Sequence, residues 1–294
     1  MIAATKKNHK RLKVSLCEMS TLVQQATNTM TTSLDTLGLS VPQQVLVGSV
    51  ALHLFLYLFL MKILCKTIFL PNIYNSLKKK HQDEYESRII SSIHSFILAF
   101  GGLYVLINDS KFYWDWDIHQ KSQLTECLFY YSTGYMFVDL MFVLYYYPQI
   151  GGIEMVIHHI FISLAQIVLV EFKTSEVIGV WVTQTEHTTA FINLRWFLDV
   201  SGGKASVWYV ANGLMMWLTW LVFRMGYALW CLLFFIYKWD DWMKLVEQPD
   251  SNGWFHLIFF IVQTLNLALL NSMWFYKLTR GVIKALFSKK DKSA

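Results

Sequence analysis

Seven apolar stretches dominate this chain, at about 44–69, 89–107, 126–147, 153–171, 175–197, 207–237 and 254–284. A bilayer core about 30 Å thick needs about 20 helical residues to cross it, fewer if protein covers part of the helix. The second and fourth stretches are short for a span, and the sixth is long enough to tilt or to project beyond the core. The only four prolines are Pro42, Pro71, Pro148 and Pro249, and each falls between stretches. Proline removes an amide donor and disfavours helix continuation, so here it punctuates. The expected fold is an all-α, polytopic transmembrane helical bundle of about seven spans. Composition agrees: 55% of residues are hydrophobic and mean hydropathy is +0.38, above a typical soluble domain.

Charge sets the expected orientation. Loop 70–88 carries Lys78, Lys79, Lys80 and Arg88; loop 198–206 carries Lys204; the C-terminal end carries Lys277, Arg280, Lys284, Lys289, Lys290 and Lys292. With seven spans these lie on one side, which the positive-inside rule makes cytosolic. The opposite loops hold Asp109, Asp115, Asp117, Asp240, Asp241 and Glu247 beside Trp114, Trp116, Trp239 and Trp242, an interfacial aromatic belt. The basic N-terminal residues Lys6, Lys7, Lys10, Arg11 and Lys13 fall on the far side, about 30 residues before the first span and beyond the rule's strong range. They precede a stretch rich in Thr, Ser and Gln, with no apolar signal-peptide core. The net charge of +5 therefore implies contact with anionic lipid; nucleic acid is not an expected partner. Cys17, Cys65, Cys127 and Cys231 show no zinc or redox spacing and read as buried thiols.

Polar residues at membrane depth are the functional signal. A helix-centre charge costs roughly 2.5–3.5 kcal/mol on insertion scales, so such groups face a bundle interior or an aqueous cavity. His94, Asp139, His158, His159, Asn193 and Arg195 all fall in the cytosolic half, with Glu186 deeper. Groups from four consecutive segments thus converge on one leaflet, which implies a cavity opening there. Glu186 and Arg195 are expected in one network with the histidines, bridged by Asn193 or water. Arg224 is expected nearer the far side, and Gln263, Asn266 and Asn271 as interhelical hydrogen-bonding groups.

Two chemistries compete with a purely structural role. Metal binding is disfavoured, because adjacent helical residues such as His158 and His159 point about 100° apart; no metal is expected. A neutral imidazole suits proton transfer near pH 7, which makes His158 and His159 the catalytic candidates. The structural alternative is an interhelical histidine hydrogen bond, with Glu186 and Arg195 neutralising each other. No P-loop and no nucleophile elbow occurs. No inverted repeat of the secondary-transporter kind is evident.

The segments "ESRIISSIHSFILAFGGLY", "YYSTGYMFVDLMFVLYYY", "GGIEMVIHHIFISLAQ", "TEHTTAFINLRWFLD" and "LALLNSMWFYKLTRG" resemble, in order and spacing, the TLC (Tram–Lag1–CLN8 homology) domain family. The likeness covers about two thirds of the chain and is nearer to the small TMEM56-type members than to ceramide synthases. It implies four parts: a basic polar segment 1–43, a first transmembrane helix and basic loop 44–84, a TLC domain 85–286 and a basic tail 287–294. It also implies a role in lipid homeostasis at a membrane, with the endoplasmic reticulum expected; the basic, hydroxyl-rich, acid-poor N-terminal segment, which is like a mitochondrial presequence, keeps the mitochondrial inner membrane as the alternative. The expected function is binding, sensing or transport of a lipid in the bundle, with His94, Asp139, Glu186, Asn193 and Arg195 meeting the headgroup. One alternative is an acyl-CoA-dependent N-acyltransferase using His158 and His159, with acyl-CoA as co-substrate and no other cofactor. Against it, Glu186–His187 stand where ceramide synthases carry an aspartate-rich stretch. The other is a structural subunit of a larger membrane protein complex.

Single cysteines placed in 70–88, 148–152, 198–206 and the C-terminal end are expected to react with impermeant thiol reagents from the same side. Labelling of 70–88 and the C-terminus from opposite sides refutes the seven-span arrangement.

Overall fold

The structure is a computed structural model that describes residues 38–172, 174–248 and 252–287. The basic N-terminal segment before residue 38 and the tail from 288 lie outside the described residues. The described residues are helical, with no strand among them. In chain order the helices are α1 (Val41–Thr67), α2 (Pro71–Ser76), α3 (Lys79–Asn108), α4 (Ser110–Tyr113), α5 (Gln123–Tyr145), α6 (Ile153–Phe172), α7 (Glu176–Thr183), α8 (His187–Val200), α9 (Val207–Tyr237), α10 (Trp239–Glu247) and α11 (Gly253–Phe287).

Six of these, α1, α3, α5, α6, α9 and α11, are long and apolar enough to cross a bilayer. The fifth expected stretch is helical but is not among the six: it is divided into α7 and α8, joined by a 3-10 turn at Gln184–Glu186. The break has a local cause. The hydroxyls of Thr183, Thr185 and Thr188 donate to the carbonyls of Val180, Val182 and Thr185, each three residues back, at 2.7, 2.7 and 2.8 Å. Such back-bonding tightens and bends a helix.

Chain punctuation follows the prolines where they are described. Pro42 sits in the first turn of α1, and Pro71 opens α2 after Leu70 turns left-handed (φ 50°). Neither position needs its amide hydrogen. Side chains cap two starts: Asp109 accepts from the Lys111 amide ahead of α4, and Ser206 from the Tyr209 amide ahead of α9.

The bundle is apolar outside and polar within. Phe59, Ile107, Leu229, Ile236 and Leu269 are exposed, while His53, His94, Gln166, Gln184, Arg224 and Asn271 are buried. In water that distribution is costly; against hydrocarbon it is the stable one, because buried polar groups then hold helices together. The aromatic belt is realised only in part. Trp114 and Trp239 are exposed, but Trp242 is fully buried, stacked on Phe235 at 5.7 Å. It anchors the amphipathic α10 instead of marking the interface.

Helix α5 is the most enclosed span, and a close approach to α1 sets its place. A Cβ added at Gly134 would lie 2.6 Å from Ser49 Cβ and 3.0 Å from the Val50 nitrogen. The Ser49 hydroxyl donates to the Tyr131 carbonyl at 2.6 Å, and the His53 ring meets the edge of Tyr135 at 5.3 Å. Small residues let membrane helices come this close. Gly134→Leu is therefore expected to separate α1 from α5 and to lower stability by about 1–3 kcal/mol, read as a fall in thermal unfolding temperature of the detergent-solubilised protein.

Candidate functional site

A cavity of about 560 Å³ enters the bundle from the end that carries the 68–78, 146–152 and 201–206 connections. Helices α3, α5, α6, α8, α9 and α11 line it. Glu84, Arg88 and Ser91, with Ser87 and His94 beside them, follow one face of α3, as Tyr135, Asp139 and Val143 follow one face of α5. His158 and His159 come from α6, Glu186 and Asn193 from the broken rod, Trp220 and Arg224 from α9, and Trp274 and Lys277 from α11. Six of the seven residues singled out from the sequence line this cavity: His94, Asp139, His158, His159, Glu186 and Asn193. Arg195 does not.

Asp139 is the hub. It is 7% exposed, and one carboxylate oxygen lies 2.7 Å from His159 Nε2. The other accepts the hydroxyl of Tyr57, which α1 supplies. His159 Nδ1 lies 2.8 Å from the Met155 carbonyl, its own helix's acceptor. Both imidazole nitrogens therefore face acceptors. A proton has to lie between Nε2 and the carboxylate, and His159 offers the cavity no free lone pair. His158 is the opposite case. It lines the cavity at 5.8 Å from the Trp274 ring, and its buried Nδ1 has no hydrogen-bond partner. Adjacent positions on one helix have thus taken different roles, the 100° between them aiming one at α5 and the other at the cavity.

The remaining groups build the walls. His94 stacks on Tyr135 at 3.8 Å and shares Ser132 Oγ with Gln166, at 3.1 and 2.7 Å. Asn193 ties α8 to α3: its amide donates to the Arg88 carbonyl and Ser92 Oγ at 3.1 and 3.0 Å, and its oxygen accepts from Arg88 Nη1 at 3.1 Å. Glu84 pairs with Arg88 at 2.8 Å. Glu186 accepts from Thr189 at 2.7 Å. Among the described residues, no three His, Cys, Asp or Glu side chains are grouped to hold a metal ion.

The two arginines differ from the sequence expectation, and the reason is local geometry. Arg195 turns to α9, where it donates to the Tyr209 carbonyl at 3.1 Å and lies over the Tyr209 ring at 3.9 Å. Gly213 leaves the room it occupies. Arg224, expected toward the far side, is buried at the inner end of the cavity. It donates to Thr188 Oγ1 at 2.7 Å and to Asn271 Oδ1 at 3.2 Å, and lies 4.5 Å over Trp220. Arg224 sits in a π-helical turn at Trp220–Met225, and Tyr57 sits in another at Leu56–Leu60. A π turn inserts one extra residue and re-aims the side chains beyond it by about 100°. The one signal for Arg224 was the spacing Met216–Trp220–Arg224, which puts all three on one face.

The fold and this cavity describe a polytopic membrane protein with a polar interior site, and comparison with known proteins places it more closely. The TLC domain family profile matches residues 84–280, and the chain belongs to that family. Among similar proteins are TLC domain-containing protein 4-B of Xenopus laevis, 24% identical over 256 residues, covering 85% of this chain and 94% of that protein. TLC domain-containing protein 4 of Homo sapiens is 24% identical over 218 residues (72% of this chain, 79% of that protein). TLC domain-containing protein 4 of Xenopus tropicalis is 28% identical over 229 residues (74% and 82%). The family match begins after Tyr57, so one partner of Asp139 comes from outside the family domain.

The histidine pair should separate in stability measurements. His159→Ala leaves Asp139 without its partner, and removing one member of a buried pair costs about 3–5 kcal/mol. His158→Ala removes no hydrogen bond and is expected to cost about 1 kcal/mol or less. Thermal unfolding of both variants checks the difference; equal losses contradict the division of roles.

Proposed function

We propose that this TLC-domain protein handles a lipid inside its bundle and acts in membrane lipid homeostasis, with the endoplasmic reticulum as its membrane. The observation that carries the reading is the cavity of about 560 Å³, whose polar groups sit within apolar walls. Met136, Val143, Met155, Ile192, Met216 and Leu278 offer surface to a hydrocarbon chain. His158, Glu186, Asn193 and Arg224 offer hydrogen-bonding groups to a headgroup. A volume of this size suits a small-molecule ligand, and polar groups at membrane depth are commonly kept for such use.

One observation favours a second reading, an acyl-CoA-dependent acyltransferase. His158 lines the cavity without a hydrogen-bond partner, so its imidazole is free to take a proton from an attacking nucleophile. His159 then positions the pair through Asp139 and is itself unable to act as the base.

Native mass spectrometry of the detergent-purified protein tests the first reading. A retained lipid that Asn193→Leu or Arg224→Leu depletes, with acyl-CoA unconsumed, is the expected result. Turnover of acyl-CoA that His158→Ala abolishes, by roughly 10²–10⁴-fold, while unfolding temperature is preserved, replaces it with the second. Absence of any bound lipid together with absence of turnover removes both. Fluorescence co-localisation of the tagged full chain with organelle markers checks the membrane.

A further inference from the structure

The inner end of the cavity holds two opposite charges that do not touch. Arg224 and Glu186 line the same space, and both also line the small adjoining void of about 30 Å³ that closes it toward the bundle centre. Arg224 hydrogen-bonds only to neutral groups, Thr188 and Asn271. Glu186 accepts only the Thr189 hydroxyl. No ion pair among the described residues includes either of them. The other charges have partners or solvent: Glu84 with Arg88, Asp139 with His159, and Lys277 exposed. His158 lines both spaces with them, and its unpartnered Nδ1 can donate or accept according to tautomer.

A ligand group seated here meets the guanidinium of Arg224, which only donates, and the carboxyl group of Glu186, which is acceptor-only when ionised. A carboxylate or phosphate satisfies Arg224 but is repelled by Glu186. An ammonium satisfies Glu186 but is repelled by Arg224. A zwitterion satisfies both but brings two further charges to membrane depth, whereas an uncharged group with both a hydrogen to give and a lone pair to offer satisfies both and brings none. Resting on the lipid-handling reading above, we propose that the cavity selects a lipid with an uncharged, hydroxyl-bearing headgroup, placed between Arg224 and Glu186. Its hydroxyl donates to Glu186 while a second oxygen accepts from Arg224, and the chain runs out along the apolar walls past Trp274. The void beyond the two charges is too small for a chain, so the headgroup occupies the inner end. Selection here is by repulsion as well as attraction, since each wrong charge meets one unfavourable partner.

The test holds the chain constant and varies only the head. Purified full-length protein in detergent is mixed with equal amounts of monoolein, oleate and oleylamine, at a pH where oleate is ionised and oleylamine protonated, and bound species are counted by native mass spectrometry. Wild type is expected to retain monoolein over either charged ligand by about tenfold or more, the equivalent of about 1.4 kcal/mol. Glu186→Gln removes the repulsion of anions and is expected to raise oleate to parity with monoolein or above it. Arg224→Gln is expected to raise oleylamine in the same way, and Arg224→Lys to keep the wild-type order. Because Glu186→Gln retains an acceptor for Thr189, it still decides the question should the arginine variants fail to fold. Oleate or oleylamine as the preferred wild-type ligand, or an unchanged order in Glu186→Gln, overturns the proposal while leaving lipid binding intact. Saturable binding of none of the three overturns both.

Discussion

Asp139 is a carboxylate at membrane depth, and three helices meet on it. Tyr57 reaches it from α1 and His159 from α6, while Asp139 itself is carried by the central α5. A buried ionised group without partners would cost several kcal/mol, so the bundle is stable only with all three elements in register. Neighbouring contacts depend on that junction. Ring stacking of Tyr57 on Phe142 at 4.0 Å and the Ser49–Tyr131 bond continue the α1–α5 seam in both directions. The bond of His159 to its own helix at Met155 fixes the ring, and so fixes where its neighbour His158 can point. The open side of the cavity is a consequence of how the closed side is tied.

The polar interior also explains why so few ion pairs are needed. His94, Gln166, Ser132 and Thr133 form a neutral hydrogen-bonded layer between α3, α5 and α6. Asn193 does the same between α3 and α8. Such bonds hold helices where lipid offers no hydrophobic drive for association.

Much of this was legible in the sequence, for reasons of period and cost. Apolar stretches of span length marked the helices, because only helices satisfy the backbone there. The expense of polar and ionisable groups in lipid pointed to His94, Asp139, His158, His159, Glu186 and Asn193, and all six line one cavity. Departures from the regular helix could not be read. The threonine-bent turn at Gln184–Glu186 divides the fifth span, and uniform hydropathy does not show it. Arg195 leaves the cavity because the Tyr209 carbonyl and ring satisfy it on α9, and Arg224 enters it, held by Thr188 and Asn271. Tyr57 was invisible because a tyrosine in an apolar span reads as packing until its hydroxyl is seen to meet Asp139.

The π turns at Leu56–Leu60 and Trp220–Met225 carry a consequence for how such proteins change over time. Each is in effect a single added residue stored inside a membrane helix. Removing any one residue from that turn restores the regular spiral and swings the side chains on one side of it through about 100° relative to the other. A substitution there alters one contact; a one-codon deletion re-indexes half a helix. A change of length within these spans therefore changes which residues face one another, where a substitution changes only what one of them offers.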